Sequence, residues 1–152
     1  MTKVIPELTK RGVSVSTIKH AHHKFDVDTP GKDSFAHRSA GATEVLVTST
    51  NRWALMHENR GNGETPLSAL VERIAPVDLL LVEGFKSCPH EKLEIYRSSV
   101  QKPMLALSDN TIVAIASDEP IPGISIPFLD LNNGKQIATF IITHCNLDGN
   151  SI

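Results

Sequence analysis

Three stretches of the chain carry side chains whose types and spacing suit chemistry. Glu83 ends an apolar run and is followed by Gly84, as Val82-Glu83-Gly84. A carboxylate at the end of a buried strand can bind Mg2+ through water or orient an attacking water, and the glycine permits close backbone approach. The same pattern also describes a loop acid that merely leaves the core. The second stretch is Lys19-His20-Ala21-His22-His23, followed by Asp26, Asp28, Lys32 and Asp33. Histidines this close could ligate a metal. However, no Cys stands near and the spacing matches no zinc pattern. His, Lys and Asp together suit a phosphate or a pterin-type anion; they also suit a solvated polar loop. The third is Ser117-Asp118, after the apolar run Thr111 to Ala116. An Asp there can accept from the N1 and N2 hydrogens of guanine, which adenine does not offer. Ser-Asp-Glu-Pro is equally ordinary turn chemistry.

The elements that must position these residues alternate between strand and helix. Val4, Ile5 and Leu8 share a helical face, and Lys10-Arg11-Gly12 stops it with a basic last turn and a glycine. A helix at the very start of an α/β pattern, with no strand before it, is unusual. Val13 to Ile18 alternates and is β-branched, which predicts a strand, and Lys19 to Gly31 a long polar loop. Asp33-Ser34 can cap a short helix ending at Gly41. Thr43 to Thr48 and Arg52 to His57 read as a hairpin around Ser49-Thr50-Asn51. Thr65 as N-cap and Pro66 at the first position open a helix with Leu67, Leu70, Val71 and Ile74 inward. Val77 to Val82 and Thr111 to Ala116 are apolar enough for strands buried on both faces. Lys92 to Arg97 alternates as a strand, Ile126 to Leu131 holds a short one, and Asn132 or Asn133 caps a last helix bearing Ile137, Ile141 and Cys145.

This order predicts one α/β domain over residues 1–152, mostly parallel with an antiparallel hairpin. In open α/β sheets, ligands bind beyond the carboxyl ends of the strands. Lys19, His22, Asp33, Glu83 and Asp118 are therefore expected at one edge of the sheet.

Composition narrows the partners. Hydrophobic residues are 40% and charged residues 21% of 152, which excludes disordered and fibrous classes. The net charge of −2 argues against bulk binding to nucleic acid or an anionic membrane. The apolar run Val77 to Val82 is interrupted by Asp78, and no apolar run is long enough to span a bilayer. The N-terminus has no apolar signal region. Cys88 and Cys145 do not make a disulfide framework, so a reducing, cytoplasmic setting is expected. Cys88 has only His90 nearby as a base, a poor setting for a catalytic thiol. No Gly-x-Ser-x-Gly occurs to support serine hydrolase chemistry.

Several motifs, in order, resemble one known family. They are Ile5-Pro6-Glu7-Leu8, Lys10-Arg11-Gly12, Ile18 to His23, Asp28-Thr29-Pro30-Gly31-Lys32-Asp33-Ser34 and Arg38 to Ala42. Arg52 to Met56, Leu81 to Lys86 and Val113 to Asp118 continue the series. The chain resembles the molybdopterin-guanine dinucleotide biosynthesis protein B family, MobB, over about residues 4 to 142. The His-x-His-His loop with Pro-Gly-Lys-Asp-Ser is the most specific part.

The resemblance implies a P-loop NTPase-like fold, GTP and Mg2+ as cofactors, and a cytoplasmic homodimer. It also implies a role in attaching GMP to molybdopterin beside the guanylyltransferase MobA. On that reading Glu83 is the catalytic carboxylate and, with Asp33, faces the metal. Lys19, His20, His22, His23, Lys32, Ser117 and Asp118 hold the nucleotide or the molybdopterin. The alternative is a catalytically silent dimeric adaptor that binds the guanylyltransferase or a cofactor precursor. Lys92 to Leu107 is the expected dimer contact.

The chain departs from the family pattern in two places. The family opens with a strand and a Gly-x-x-Gly-x-Gly-Lys-Thr-Thr phosphate loop. Here no Gly precedes Gly12, and no Gly-x-x-x-x-Gly-Lys-[Ser/Thr] occurs. The chain is thus expected to be a family member shortened at its N-terminus, without the first strand and phosphate loop, and to bind GTP poorly. Lys24 stands where the family more often has Asp, which weakens a metal role for the His loop.

Overall fold

In the computed structural model, residues 1–21 and 25–147 are described. They form two compact units, Met1–Ile18 with Pro76–Ile152, and Lys19–Ala75.

The first unit starts with helix α1 (Ile5–Thr9), with proline in its first turn and Leu8 fully buried. Gly12 adopts φ +82 and ends the helix, and the amide of Val13 donates back to the carbonyl of Leu8 at 3.2 Å. Strand β1 (Val15–Lys19) pairs with β4 (Leu79–Glu83). A side-chain clasp sets their start: the Ser14 amide and hydroxyl both donate to Asp78 Oδ2, at 2.8 and 2.6 Å, and the Asp78 amide donates to Ser14 Oγ at 2.9 Å. A second sheet holds β5 (Lys92–Tyr96), β6 (Ile112–Ser117) and β7 (Phe128–Asp130), in that order and all parallel. Helix α4 (Gly134–His144) is capped by Asn133, whose side chain accepts from the Gln136 amide at 3.0 Å.

Leu8 of α1, Ala114 and Ala116 of β6, Leu129 of β7 and Ile137, Ala138 and Ile142 of α4 make one core. Val15 of β1, Leu79 and Leu81 of β4 and Leu93 of β5 pack against it. Arg11 ties the end of α1 to α4 by donating to Thr139 Oγ1 at 2.8 Å and to the Lys135 carbonyl at 3.3 Å. Glu94, a buried acid of β5, accepts from the amides of Leu105 and Ala106, each at 2.8 Å. Those amides open a single 3-10 turn and need an acceptor once removed from water. Asp109 accepts from the hydroxyl and amide of Thr111 and from Lys92; these bonds hold its carboxyl below the ordinary range.

The second unit contains α2 (Asp33–Ser39), the antiparallel hairpin β2 (Glu44–Thr48) and β3 (Trp53–His57), and α3 (Leu67–Val71). The hairpin turns over Ser49 to Arg52, where the Ser49 amide donates to the Arg52 carbonyl at 2.9 Å. Helix α2 packs on β2, where Val45 is buried.

Four expectations change. Val77 to Val82 does contain a strand, but β4 is half-buried rather than buried on both faces. Among the described residues it has one strand partner, whereas β6 lies between two strands and is buried at all positions but Val113. Pro66, not Thr65, is the N-cap of α3, because the Thr65 hydroxyl donates to Asn59 Oδ1 at 2.9 Å. Val71 is exposed rather than inward. Asp33 is the first residue of α2 and Lys32 its N-cap, with no side-chain capping bond.

Gly134 marks a close backbone approach in the first unit. A Cβ there would stand 2.6 Å from the Lys3 carbonyl oxygen and 3.0 Å from Lys3 C and Cβ. Alanine is favoured over glycine in helices by up to about 1 kcal/mol, but a backbone clash typically costs about 1–3 kcal/mol. Gly134→Ala is therefore expected to lower the stability in urea denaturation. A midpoint equal to the parent's would show that Lys3 moves aside freely.

Candidate functional site

Glu83 closes β4 with its side chain exposed. Alternation along the strand places it on the face that Leu79 and Leu81 present to the core, one step beyond the packed residues. Gly84 then takes φ +96 and Phe85 φ +50. Two successive left-handed residues turn the chain sharply away from the strand end, and the first must be Gly to do so without strain.

Ser117 and Asp118 close β6 and begin the bend after it. Ser117 is fully buried; its hydroxyl donates to Asp118 Oδ1 and accepts from the Glu119 amide, both at 3.4 Å, while its carbonyl accepts from the Leu131 amide at 2.9 Å. Asp118 also faces Arg97, with Nη1 at 3.8 Å from Oδ2. A ligand donor reaching Asp118 would thus meet a carboxylate already turned toward a guanidinium.

In the second unit His20 lies 2.9 Å from Glu64, an ion pair when the ring is protonated. Lys32 and Asp33 are exposed at the start of α2. Lys19 is exposed as the last residue of β1. His22 and His23, like Lys24, lie outside the described residues. The structure thus joins Ser117 to Asp118 and places Lys32 beside Asp33, while His20 is joined to an acid that its sequence neighbourhood did not suggest. Among the described residues, no group of three or more His, Cys, Asp or Glu side chains is arranged to hold a metal ion.

Sequence reasoning missed the network around Arg38. Arg38 Nη2 donates to Asp28 Oδ1 at 2.7 Å and lies 3.0 Å from Asp26 Oδ1; Nη1 lies 3.5 Å from Glu58 Oε1. The guanidinium sits 5.1 Å from the centre of the Phe35 ring. The hydrogen bond that Arg38 donates to Asp28 and the surrounding carboxylates raise the Arg38 pKa against the opposing effect of burial. Arg60 donates to the carbonyls of Arg38, at 3.1 Å, and Ala42, at 2.8 Å, and so ties down the end of α2. The signal was present as four charges at 26, 28, 38 and 58, but their spacing follows no helix or strand period.

Strands in parallel pairings, an antiparallel hairpin and helices between them, with acids closing β4 and β6, define an α/β protein. Known proteins narrow that class. The family model for molybdopterin guanine dinucleotide synthesis protein B, MobB, matches residues 1–118. The molybdopterin-guanine dinucleotide biosynthesis adapter protein of Escherichia coli K12 is 39% identical over 145 residues, covering 93% of this chain and 82% of the relative. The protein of the same name from Haemophilus influenzae is 38% identical over 147 residues, covering 93% and 78%. A crystal structure of molybdopterin-guanine biosynthesis protein B superposes with a TM-score of 0.73 at 22% identity, over 94% of this chain and 88% of the other. The MobB homologue from Bacillus stearothermophilus superposes with a TM-score of 0.69 at 22% identity, over 97% and 88%. The chain belongs to the MobB family.

The Gly84 turn can be tested directly. A side chain at φ +96 costs about 1–2 kcal/mol. Gly84→Ala is expected to destabilise the chain by that amount in chemical denaturation. Unchanged stability would mean that the turn after Glu83 relaxes to another conformation at no cost.

Proposed function

We propose that the chain is an accessory protein of molybdenum cofactor synthesis that acts as an adaptor. It works beside the guanylyltransferase MobA, which attaches GMP to molybdopterin. The observation that carries this reading is membership of the MobB family, with relatives that are named adapter proteins. Glu83 and Asp118 support a place for a guanine nucleotide, and Lys32 with His20 a place for an anionic group.

The residues fit such a nucleotide only in part. Asp118 has the acceptor oxygens that the guanine edge requires, and Glu83 is a hard oxygen donor of the kind Mg2+ prefers. Bound Mg2+ would neutralise phosphate charge. The triphosphate end requires a cradle of backbone N–H groups and a lysine, and these 152 residues contain no Gly-x-x-x-x-Gly-Lys-[Ser/Thr]. No hydrolytic step is assigned to these residues.

The decisive assay follows GMP transfer onto molybdopterin by purified guanylyltransferase, with and without the chain. Faster product formation is expected with it; an unchanged rate at saturating chain would overturn the adaptor reading. GTP binding by this polypeptide is expected to be weak. Each charge-assisted hydrogen bond contributes roughly 1.5–3 kcal/mol. Losing three costs about 5 kcal/mol, or more than ~10³-fold in affinity. Calorimetry with Mg2+ should return a dissociation constant above about 1 mM. A value near about 1 µM would show that the phosphate loop is dispensable.

The adaptor is further proposed to act as a homodimer. Leu46 pairs with Leu55 and Thr48 with Trp53 on one face of the hairpin, and Leu46, Trp53 and Leu55 are 57%, 66% and 39% exposed. A two-stranded ribbon is marginal unless its apolar face is covered. Ile95, Val100 and Leu107 expose apolar surface in the 92–107 segment as well, but the hairpin adds a tryptophan. Light scattering at micromolar concentration should give a dimer for the parent and a monomer for Trp53→Glu. A monomeric parent would refute the dimer.

A further inference from the structure

Arg38 stands apart from every residue that the sequence assigned to the site, yet its side chain joins more segments than any of them. It springs from the last turn of α2 and reaches Asp26 and Asp28 in the loop before the helix and Glu58 just after β3. Asp28 is the innermost partner, its side chain 6% exposed against 62% for Asp26. It immediately precedes Thr29-Pro30-Gly31-Lys32-Asp33, in which Gly31 takes φ +91. The loop therefore has one buried polar anchor, and that anchor is fastened to the far end of the helix that Lys32 and Asp33 begin.

The geometry points to Arg38 as a positioning residue that holds the segment 26–31 in shape and so sets how Lys32 and Asp33 are presented to a ligand. This rests on the reading that the loop holds an anionic ligand. Arg38 itself need not touch that ligand, because three carboxylates surround its guanidinium. Lysine is a poor substitute. Nη2 serves Asp26 and Asp28 while Nη1 faces Glu58, and a single ammonium cannot spread its donors over a plane in that way. The Phe35 face below the guanidinium and the Arg60 bonds to the Arg38 and Ala42 carbonyls fix both ends of the side chain. Without Arg38, Asp28 would be a buried carboxylate lacking its cation. The loop would have to open so that water reaches it.

The test uses the whole chain with Arg38→Lys, which keeps the charge, and Asp28→Asn, which keeps the shape. Amide hydrogen exchange reads the loop, and stimulation of GMP transfer by the guanylyltransferase reads the function. In Arg38→Lys, exchange in 25–34 is expected to rise about tenfold while β5, β6 and β7 stay protected. The chain concentration giving half-maximal stimulation should rise by a similar factor. Asp28→Asn should reproduce both effects. Parent-like exchange and stimulation in Arg38→Lys would overturn the proposal, because charge alone would then suffice. Faster exchange spread through β5–β7 would also overturn it, by making the role a general structural one. A parent chain that stimulates nothing would instead sink the adaptor reading, and the exchange result would still decide whether Arg38 holds the loop.

Discussion

Close contact between small side chains governs the larger unit. Ala114 and Ala116 of β6, Ala138 of α4 and Leu8 of α1 are all fully buried in one cluster. Alanines keep the shared cluster small in side-chain bulk, and Gly134 permits a close backbone approach at the start of α4, against the Lys3 carbonyl. Interiors are packed to crystal-like density, so removing buried methyl groups leaves cavities that the surroundings only partly refill. Losing Leu8 to alanine would cost about 2–5 kcal/mol by that route. The strand ends that carry Glu83 and Asp118 inherit their order from this cluster, since Leu79, Leu81 and Ala116 are part of it or packed on it.

The smaller unit follows another logic. Val45 is its one buried hydrophobic residue among those described, and several large apolar side chains of its hairpin are exposed. Its order comes from the hairpin ladder and from charges: Arg38 among Asp26, Asp28 and Glu58, and Glu44 between His57 and Arg73. The hydrogen bond from His57 and the neighbouring Arg73 hold the Glu44 carboxyl below its ordinary range. Exposed ion pairs contribute little to stability, typically under about 1 kcal/mol each. They do specify orientation, because each pairing holds two segments in one relative setting.

The two units are ordered by different means. In the well-packed unit Glu83 and Asp118 follow strand residues that belong to the core or pack on it, and Asp118 faces Arg97. The polar unit relies on ion pairs and on the hairpin ladder.

Much of this was legible in the sequence. Apolar continuity identified β6, β-branched alternation identified β1, and Asn133, Gly12 and Gly41 marked helix ends, because these signals arise from contacts within a few residues. The ordered motifs from Ile5 to Asp118 identified the family. Three outcomes needed the tertiary structure. Val77 to Val82 has the composition of a doubly covered strand, but burial depends on how many neighbours a strand finds, and β4 finds one among the described residues. Thr65 has the chemistry of a cap, but Asn59 from the preceding turn takes its hydroxyl. Arg38 and its acids carry no periodic signature, since Asp26, Asp28 and Glu58 meet it only when the loop folds back and the hairpin returns the chain after β3. Local propensity acts over a turn of helix or a pair of strand residues; charge pairing acts through space, and only the folded chain decides which charges meet.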